Sequence, residues 1–245
     1  MKRRLDQVLA ERGLADSRAK AQALVMAGLV FVEGRRADKP GALVADDAAI
    51  EVRGKPHPYV SRGGVKLAHA LDRFAVDPAG KVCLDVGAST GGFTDVLLKR
   101  GAARVYAVDV GHGQLDWSLR NDKRVVVLEK TNARYLSREQ VPEPVDLIVC
   151  DASFIGLETV LPAPLALAAE RADLVALVKP QFEVGPERVG KGGVVRDAAA
   201  RRAACERIRS WLDAQPGWRV LGLAESPIRG ADGNVEYLIA ARKGG

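Results

Sequence analysis

The stretch Val82-Cys83-Leu84-Asp85-Val86-Gly87-Ala88-Ser89-Thr90-Gly91-Gly92-Phe93-Thr94 decides the fold. Its nearly continuous apolar start reads as a strand buried on both faces, its glycines as a tight turn, and its end as the opening of a helix. Similar runs recur at Val105–Val110, Val125–Leu128, Val145–Cys150 and Leu174–Val178, with helical patterns between them. Strands alternating with helices build a parallel, doubly wound sheet. Two later runs, Arg219–Ala224 and Val235–Ala240, are joined by Pro227-Ile228-Arg229-Gly230-Ala231-Asp232-Gly233, too short for a crossover helix. They should pair antiparallel. The expectation is an α/β, Rossmann-like sheet of seven strands over residues 61–245.

The first sixty residues follow another pattern. Leu5 to Arg12 and Ser17 to Ala27 read as short helices, the second opened by Asp16 or Ser17 as N-cap and stopped by Gly28. Leu29 to Gly34 reads as a strand entering a turn, and Ala49 to Arg53 as another after Asp46-Asp47. Gly54-Lys55-Pro56-His57-Pro58 disfavours helix and ladder alike. A small α+β unit is therefore expected over residues 1–53, then a linker at 54–60. Lys and Arg outnumber Asp and Glu by 11 to 8 in residues 1–60 and by 26 to 23 in residues 61–245. The small unit thus has about three times the charge density of the large one, which fits an electrostatic anchor for a polyanion.

Across 245 residues the chain is 47% hydrophobic and 28% charged, with 25 Gly, 12 Pro and a net charge of +6. Collagen, mucin-like stalks and whole-chain disorder are excluded. Cys83, Cys150 and Cys205 are odd in number and show no C-x-x-C spacing, so neither a disulfide framework nor a metal cluster is expected. Met1-Lys2-Arg3-Arg4 begins no apolar leader, and the apolar stretch from Thr159 to Val178 is broken by Pro162, Pro164, Glu170, Arg171 and Asp173. A cytoplasmic protein without membrane contact is expected.

Gly87 and Gly91 let a ligand approach the backbone at the carboxyl end of a strand, where such sheets bind. Ser89 stands where the dinucleotide fingerprint needs its second glycine, which disfavours a nicotinamide cofactor. Asp109 lies 24 residues after Asp85, placed to accept the two hydroxyls of a ribose. Two acids beside the loop suit a cationic sulfonium nucleoside better than a pyrophosphate. Gly185-Pro186-Glu187-Arg188-Val189-Gly190-Lys191-Gly192 imitates a phosphate loop but ends in Gly192 where Ser or Thr should meet magnesium. A lid beside the active site is the better reading of it.

Residues 61–245 resemble the FtsJ-type, S-adenosylmethionine-dependent ribose 2′-O-methyltransferases. Residues 1–60 resemble an S4 RNA-binding domain through Arg4-Leu5-Asp6, Leu9, Gly13, Ser17-Arg18, Ala21, Leu24, Gly28, Val30, Val32 and Gly34. Together with Ser118-Leu119-Arg120-Asn121-Asp122, Leu177-Val178-Lys179-Pro180-Gln181-Phe182-Glu183 and Gly233-Asn234-Val235-Glu236-Tyr237, the order is that of the TlyA family. The resemblance implies methylation of cytidine 2′-hydroxyls in ribosomal RNA within ribosomal subunits, with the large subunit preferred because the chain stops soon after the final strand. It implies S-adenosyl-L-methionine as cofactor, held by Asp85, Gly87, Ala88, Ser89, Thr90, Gly91, Gly92, Phe93, Asp109 and Asn132. It also implies a catalytic tetrad of Lys66, Asp151, Lys179 and Glu236. Asp151 and Lys179 follow strands at the sheet edge that carries the glycine loop, and Glu236 is expected early in the last strand. In this scheme one lysine acts on the ribose hydroxyl as a base while the other's charge lowers its pKa.

Asn132 faces the adenine or caps a turn, and Phe154 stacks on a base or fills the core. Trp117, Trp211 and Trp218 are expected in the core, and His57, His69 and His112 receive no role. Arg3, Arg4, Arg18 and Lys20 are candidates for phosphate contacts. A catalytically weak assembly factor is the alternative class. A membrane-lysing haemolysin, an older label of the family, lacks a physical route in this sequence.

Overall fold

The computed structural model describes residues 2–15, 17–53, 57–230 and 233–244. The chain divides into two compact units, Met1–Pro58 and Tyr59–Gly245. Tyr59 and Val60, expected in the linker, pack against the core of the larger unit, and Val60 N donates to Asp95 Oδ2 at 2.9 Å. The linker residues 54–56 and the N-cap candidate Asp16 lie outside the described residues, as do Ala231 and Asp232 between the last two strands.

In the small unit, β1 (Lys2–Arg4) pairs antiparallel with β4 (Leu43–Ala45), an element the sequence reading did not foresee. Three residues of Lys and Arg carry no apolar signal, so only the partner reveals the strand. Helices α1 (Leu5–Glu11) and α2 (Arg18–Met26) follow. Ser17 caps α2, its Oγ accepting from Lys20 N at 3.2 Å, which satisfies one of the free donors of the first turn. A second sheet orders β3 (Arg35–Arg36), β2 (Val30–Val32) and β5 (Ile50–Val52). Leu5, Val8, Leu9, Ala21, Val25 and Val30 form the core of this unit.

The larger unit opens with α3 (Gly63–Arg73), then β6 (Val82–Val86), α4 (Gly92–Lys99), β7 (Arg104–Val108), α5 (Trp117–Arg120) and β8 (Val125–Leu128). It continues through β9 (Val145–Cys150), α6 (Leu157–Val160), α7 (Pro162–Ala166), β10 (Ala168–Val178) and α8 (Pro180–Glu183). Helix α9 (Ala198–Asp213) precedes β11 (Trp218–Glu225) and β12 (Tyr237–Lys243). These seven strands make one sheet in the order β11-β12-β10-β9-β6-β7-β8. The strands from β10 to β8 are parallel neighbours, and β12 runs antiparallel between β10 and β11.

Alternation along each strand feeds two cores. Leu84, Val86, Ile148, Cys150, Ala176 and Val178 face the layer holding Ile208 and Leu212 of α9. Cys83, Leu147, Val149, Val175 and Leu177 face Leu67 and Leu71 of α3 and Leu97 of α4. Burial on both faces explains why the parallel strands read as continuous apolar runs. On α9, Ala200, Ala204, Ile208 and Leu212 repeat every four residues on the buried face, and the Asp197 side chain caps the helix by accepting from Ala199 N at 2.8 Å.

Several boundaries differ from expectation. β10 begins at Ala168, with an irregular register between Ala168 and Asp173, because Glu170 and Arg171 mask its polar first half. β7 ends at Val108, leaving Asp109 and Val110 to the loop, and β12 begins at Tyr237, so Glu236 precedes the strand. Trp218 is buried and Trp211 packs partly against the core, but Trp117 is 77% exposed. α5 is a single turn whose inward position belongs to Leu119, so Trp117 has no core to enter. No described helix is long and apolar enough to cross a membrane.

Candidate active site

β6 connects onward to β7 on one side, while β9 lies on its other side. This reversal opens a crevice at the carboxyl ends of the strands. The loop from Gly87 to Gly91 fills its floor. Gly87 has φ 83, and a Cβ there would stand 3.0 Å from the Ala152 backbone. Only glycine lets the two loops pass this closely. Gly91, with φ 94, caps α4 where a Cβ would collide with the Leu115 and Leu119 side chains.

Two chambers adjoin the loop. The first, about 420 Å³, is walled by Val110, Ala133 and Ile155 and carries Asp109, Gln114 and Asn132 among its polar groups. The second, about 340 Å³, is lined by Lys66, Lys179, Ser61, Thr90, Gly92 and Phe93, among others. Gly87, Ser89, Asp151 and Ser153 line both chambers. Ala88 lines the second. Asp109 Oδ2 accepts from Ser89 N at 2.8 Å and Oδ1 from Gly111 N at 2.7 Å. Each oxygen keeps a further lone pair, so the carboxylate can still receive a pair of hydroxyls. An apolar slot beside a two-oxygen acceptor suits a nucleoside with a flat base.

The four residues of the expected tetrad come together. Lys66 Nζ lies 2.5 Å from Glu236 Oε2, with Lys66 and Glu236 only 7% and 3% exposed. Lys179 Nζ is 2.7 Å from Asp151 Oδ1 and donates to Asp151 O at 3.0 Å and Ser153 Oγ at 2.8 Å. Each buried lysine thus has a carboxylate partner, as burial of a charge demands. Lys66 shares the buried face of α3 with Leu67 and Ala70. Lys179 follows β10 and starts α8, with Pro180 as its first residue.

Two expected cofactor residues line neither chamber. Gly91 lies behind the loop at the start of α4. Asp85 is fully buried beneath it, accepting from Thr94 Oγ1 at 2.7 Å. Burial pushes the Asp85 carboxyl up to about 7, with the Thr94 hydrogen bond opposing and the Asp151 charge adding to the rise. The folded state therefore holds this proton more tightly than the unfolded chain. The stability it gives is full below about pH 4 and is lost as pH climbs to about 7. Asp85→Asn lacks this titration while retaining an acceptor for Thr94. Its melting temperature relative to the wild type should rise between about pH 4 and about pH 7; a constant difference would contradict the assignment.

Ser153 was missed, although its place two residues after Asp151 was a readable signal. Glu183 was also missed: it accepts from Leu157 N at 2.9 Å and Arg207 Nη2 at 2.8 Å, holding the loop after Asp151. Burial raises its pKa. The buried Asn234 accepts from Val195 N at 3.0 Å and donates to Gly193 O at 2.8 Å, tying the loop after α8 beside Glu236. Asn132 caps the turn at Ala133–Tyr135, accepting from Arg134 N at 3.1 Å. Phe154 is 90% exposed rather than in the core, with φ 64 and its ring centroid 5.1 Å from that of Phe182. In the small unit Arg3 pairs with Glu11 and Asp46, Arg4 and Arg18 pair with Asp6, and Lys20 is exposed. A larger crevice of about 590 Å³ lies at the opposite end of the sheet, where Asp173 is already ion-paired with both Lys81 and Arg242.

Residues 59–243 match the FtsJ-like methyltransferase family and residues 3–50 the S4 domain. The chain is 52% identical to the 16S/23S rRNA (cytidine-2′-O)-methyltransferase TlyA of Mycobacterium tuberculosis, over 98% of this chain and 89% of that one. It is 39% identical to the 23S rRNA (cytidine-2′-O)-methyltransferase TlyA of Campylobacter jejuni, over 73% and 69%. A solved structure of a "putative hemolysin" from Streptococcus thermophilus is 42% identical with a TM-score of 0.77, covering 99% of this chain and 89% of that one. By both its domains and its relatives, the chain belongs to the TlyA family of S4-bearing, FtsJ-like methyltransferases.

Proposed function

We propose that this enzyme methylates the 2′-hydroxyl of a cytidine in ribosomal RNA, using S-adenosyl-L-methionine, with the large-subunit RNA as substrate. The observation that carries the reading is the shared wall of the two chambers, where Asp151 and Ser153 meet Lys179. A nucleoside cofactor in the first chamber would lie against a ribose in the second. Both relatives cited have names that include the large-subunit RNA.

When bound, the cofactor supplies a methyl carbon activated by positive sulfur. Asp109 would accept the hydroxyls of its ribose, Val110, Ala133 and Ile155 would cover its base, and the Gly87–Phe93 loop would hold its amino-acid end. In the second chamber Lys179, once its ammonium has given up a proton to solvent, would accept the proton from the RNA 2′-oxygen as that oxygen bonds to carbon and the carbon–sulfur bond breaks. Asp151 and Ser153 fix the direction of Nζ, which matters because methyl transfer depends on a near-attack line. Glu236 holds Lys66 opposite. The exposed Phe154 ring offers a surface on which a base can stack. Arg3, Arg4, Arg18 and Lys20 would meet phosphates, and a ribosomal substrate places the reaction in the cytoplasm.

The test is transfer of labelled methyl to purified, unmodified small and large ribosomal subunits. Label on cytidine 2′-oxygen in the large subunit is expected. Joint alanine replacement of Arg3, Arg4, Arg18 and Lys20 should raise KM and flatten its salt dependence, by about 0.7 in logarithmic slope per lost phosphate contact. RNA binding without any label would favour the assembly-factor alternative.

A further inference from the structure

Among the described residues of the small unit Asp6 is the most fully engaged carboxylate, and no part of the proposed chemistry uses it. It sits in the first turn of α1 and is 0% exposed. Arg4 reaches it twice, from Nε to Oδ1 at 3.1 Å and from Nη2 to Oδ2 at 2.9 Å. Arg18 Nε donates to Oδ2 at 3.1 Å and Gln22 Nε2 to the same oxygen at 2.8 Å. Arg18 and Gln22 stand one turn apart on α2, while Arg4 ends β1, so three elements converge on one carboxylate. The hydrogen bonds from Arg4 hold its pKa well below the usual carboxylate range, so it stays charged at any working pH.

The two arginines use their inner edges on Asp6 and keep their outer edges in water. Arg4 leaves Nη1, and Arg18 leaves both Nη atoms, without a partner among the described residues. Their side chains are 42% and 52% exposed. Arg4 also lies flat against Gly41, where a Cβ would come within 3.0 Å of Nη1. A guanidinium fixed on one edge presents the other at a set angle, and little rotamer freedom remains to be lost when a phosphate arrives. A carboxylate buried beneath a cationic patch weakens its long-range attraction for RNA, so its presence there calls for a local benefit.

We propose that Asp6 is a positioning residue that locks Arg4 and Arg18 into one preorganised phosphate clamp. This rests on the reading of those arginines as RNA contacts, and its test separates the two. Binding of the full-length protein to purified ribosomal subunits is measured across a salt series for the wild type, Asp6→Asn, Arg18→Ala, the double variant and Gly41→Leu. Simple charge counting says that Asp6→Asn binds RNA more tightly. The clamp says that it binds about tenfold more weakly, with a smaller salt slope, because phosphate contacts are lost. A merely destabilised fold lowers the competent fraction equally at every salt and leaves the slope unchanged. Arg18→Ala should cost far less in the Asp6→Asn background than in the wild type. Gly41→Leu, which displaces the Arg4 guanidinium without touching Asp6 or any charge, should weaken binding in the same way and guards against misfolding of Asp6→Asn. Tighter or equal binding by Asp6→Asn, or an unchanged slope, overturns the clamp. Unchanged binding by Arg18→Ala alone overturns the phosphate reading of that arginine and the clamp with it.

Discussion

Lys179→Ala should lower single-turnover methyl transfer by about a thousandfold, the middle of the range for a lost proton-transfer group, while S-adenosylmethionine still binds. Lys179 lines the second chamber and not the first, so its loss leaves the nucleoside slot intact. Its removal also frees Asp151 from its ion pair, but that carboxylate is part-exposed and water can reach it. Lys66→Ala is a less clean test. It strands Glu236, 3% exposed and held at 2.5 Å by Lys66 alone among the described residues, and an unpaired buried charge costs about 3–5 kcal/mol of stability. Rate measured at saturating RNA, beside cofactor calorimetry, decides the matter for Lys179. Near-normal turnover would remove it from the chemistry.

Asp109→Ala should weaken cofactor binding by about 1.5–3 kcal/mol, the range for hydrogen bonds to a charged group, or roughly ten- to a hundredfold in Kd. The carboxylate does two things at once. Its free lone pairs face the first chamber, and its bonds to Ser89 N and Gly111 N brace the loops on either side. Asp109→Asn retains much of the bracing but donates where the hydroxyls also donate, so it should recover only part of the loss. Calorimetry on both variants checks this. A Kd equal to that of the wild type would place the ribose elsewhere.

The sheet was legible in the sequence because strands buried on both faces leave unbroken apolar runs, and Val82–Val86 and Val145–Cys150 keep their expected bounds. Strand β10 shows where such reading stops, since Glu170 and Arg171 occupy a strand without an apolar face to announce it. β1 was invisible for a similar reason. The resemblance named Lys66, Asp151, Lys179 and Glu236, and the places of Asp151 and Lys179 after strands agree with it, but pairing was beyond sequence. Nothing in spacing says that Lys66 meets Glu236 and Lys179 meets Asp151 rather than the reverse. Asp85 lies beneath the floor rather than in the crevice, a choice open to any acid at a strand end that only the Thr94 hydroxyl reveals. Arg4 and Arg18 were read by charge alone, which could not show the carboxylate between them.

The position of β12 between β10 and β11 bears on how the enzyme acquires activity. The sheet cannot be assembled in chain order, because a later strand must insert between two earlier ones. The ion pair that joins Lys66 to Glu236 closes a loop of 170 positions. Contacts so distant in sequence are made late, after the entropy of closure has been met by nearer pairings. A folding intermediate with β6 to β10 in place would already have the glycine loop, Asp109, Asp151 and Lys179. It would still lack Glu236 beside Lys66. Cofactor affinity and turnover should therefore return at different times during refolding, the first with the parallel strands and the second only when β12 has entered the sheet.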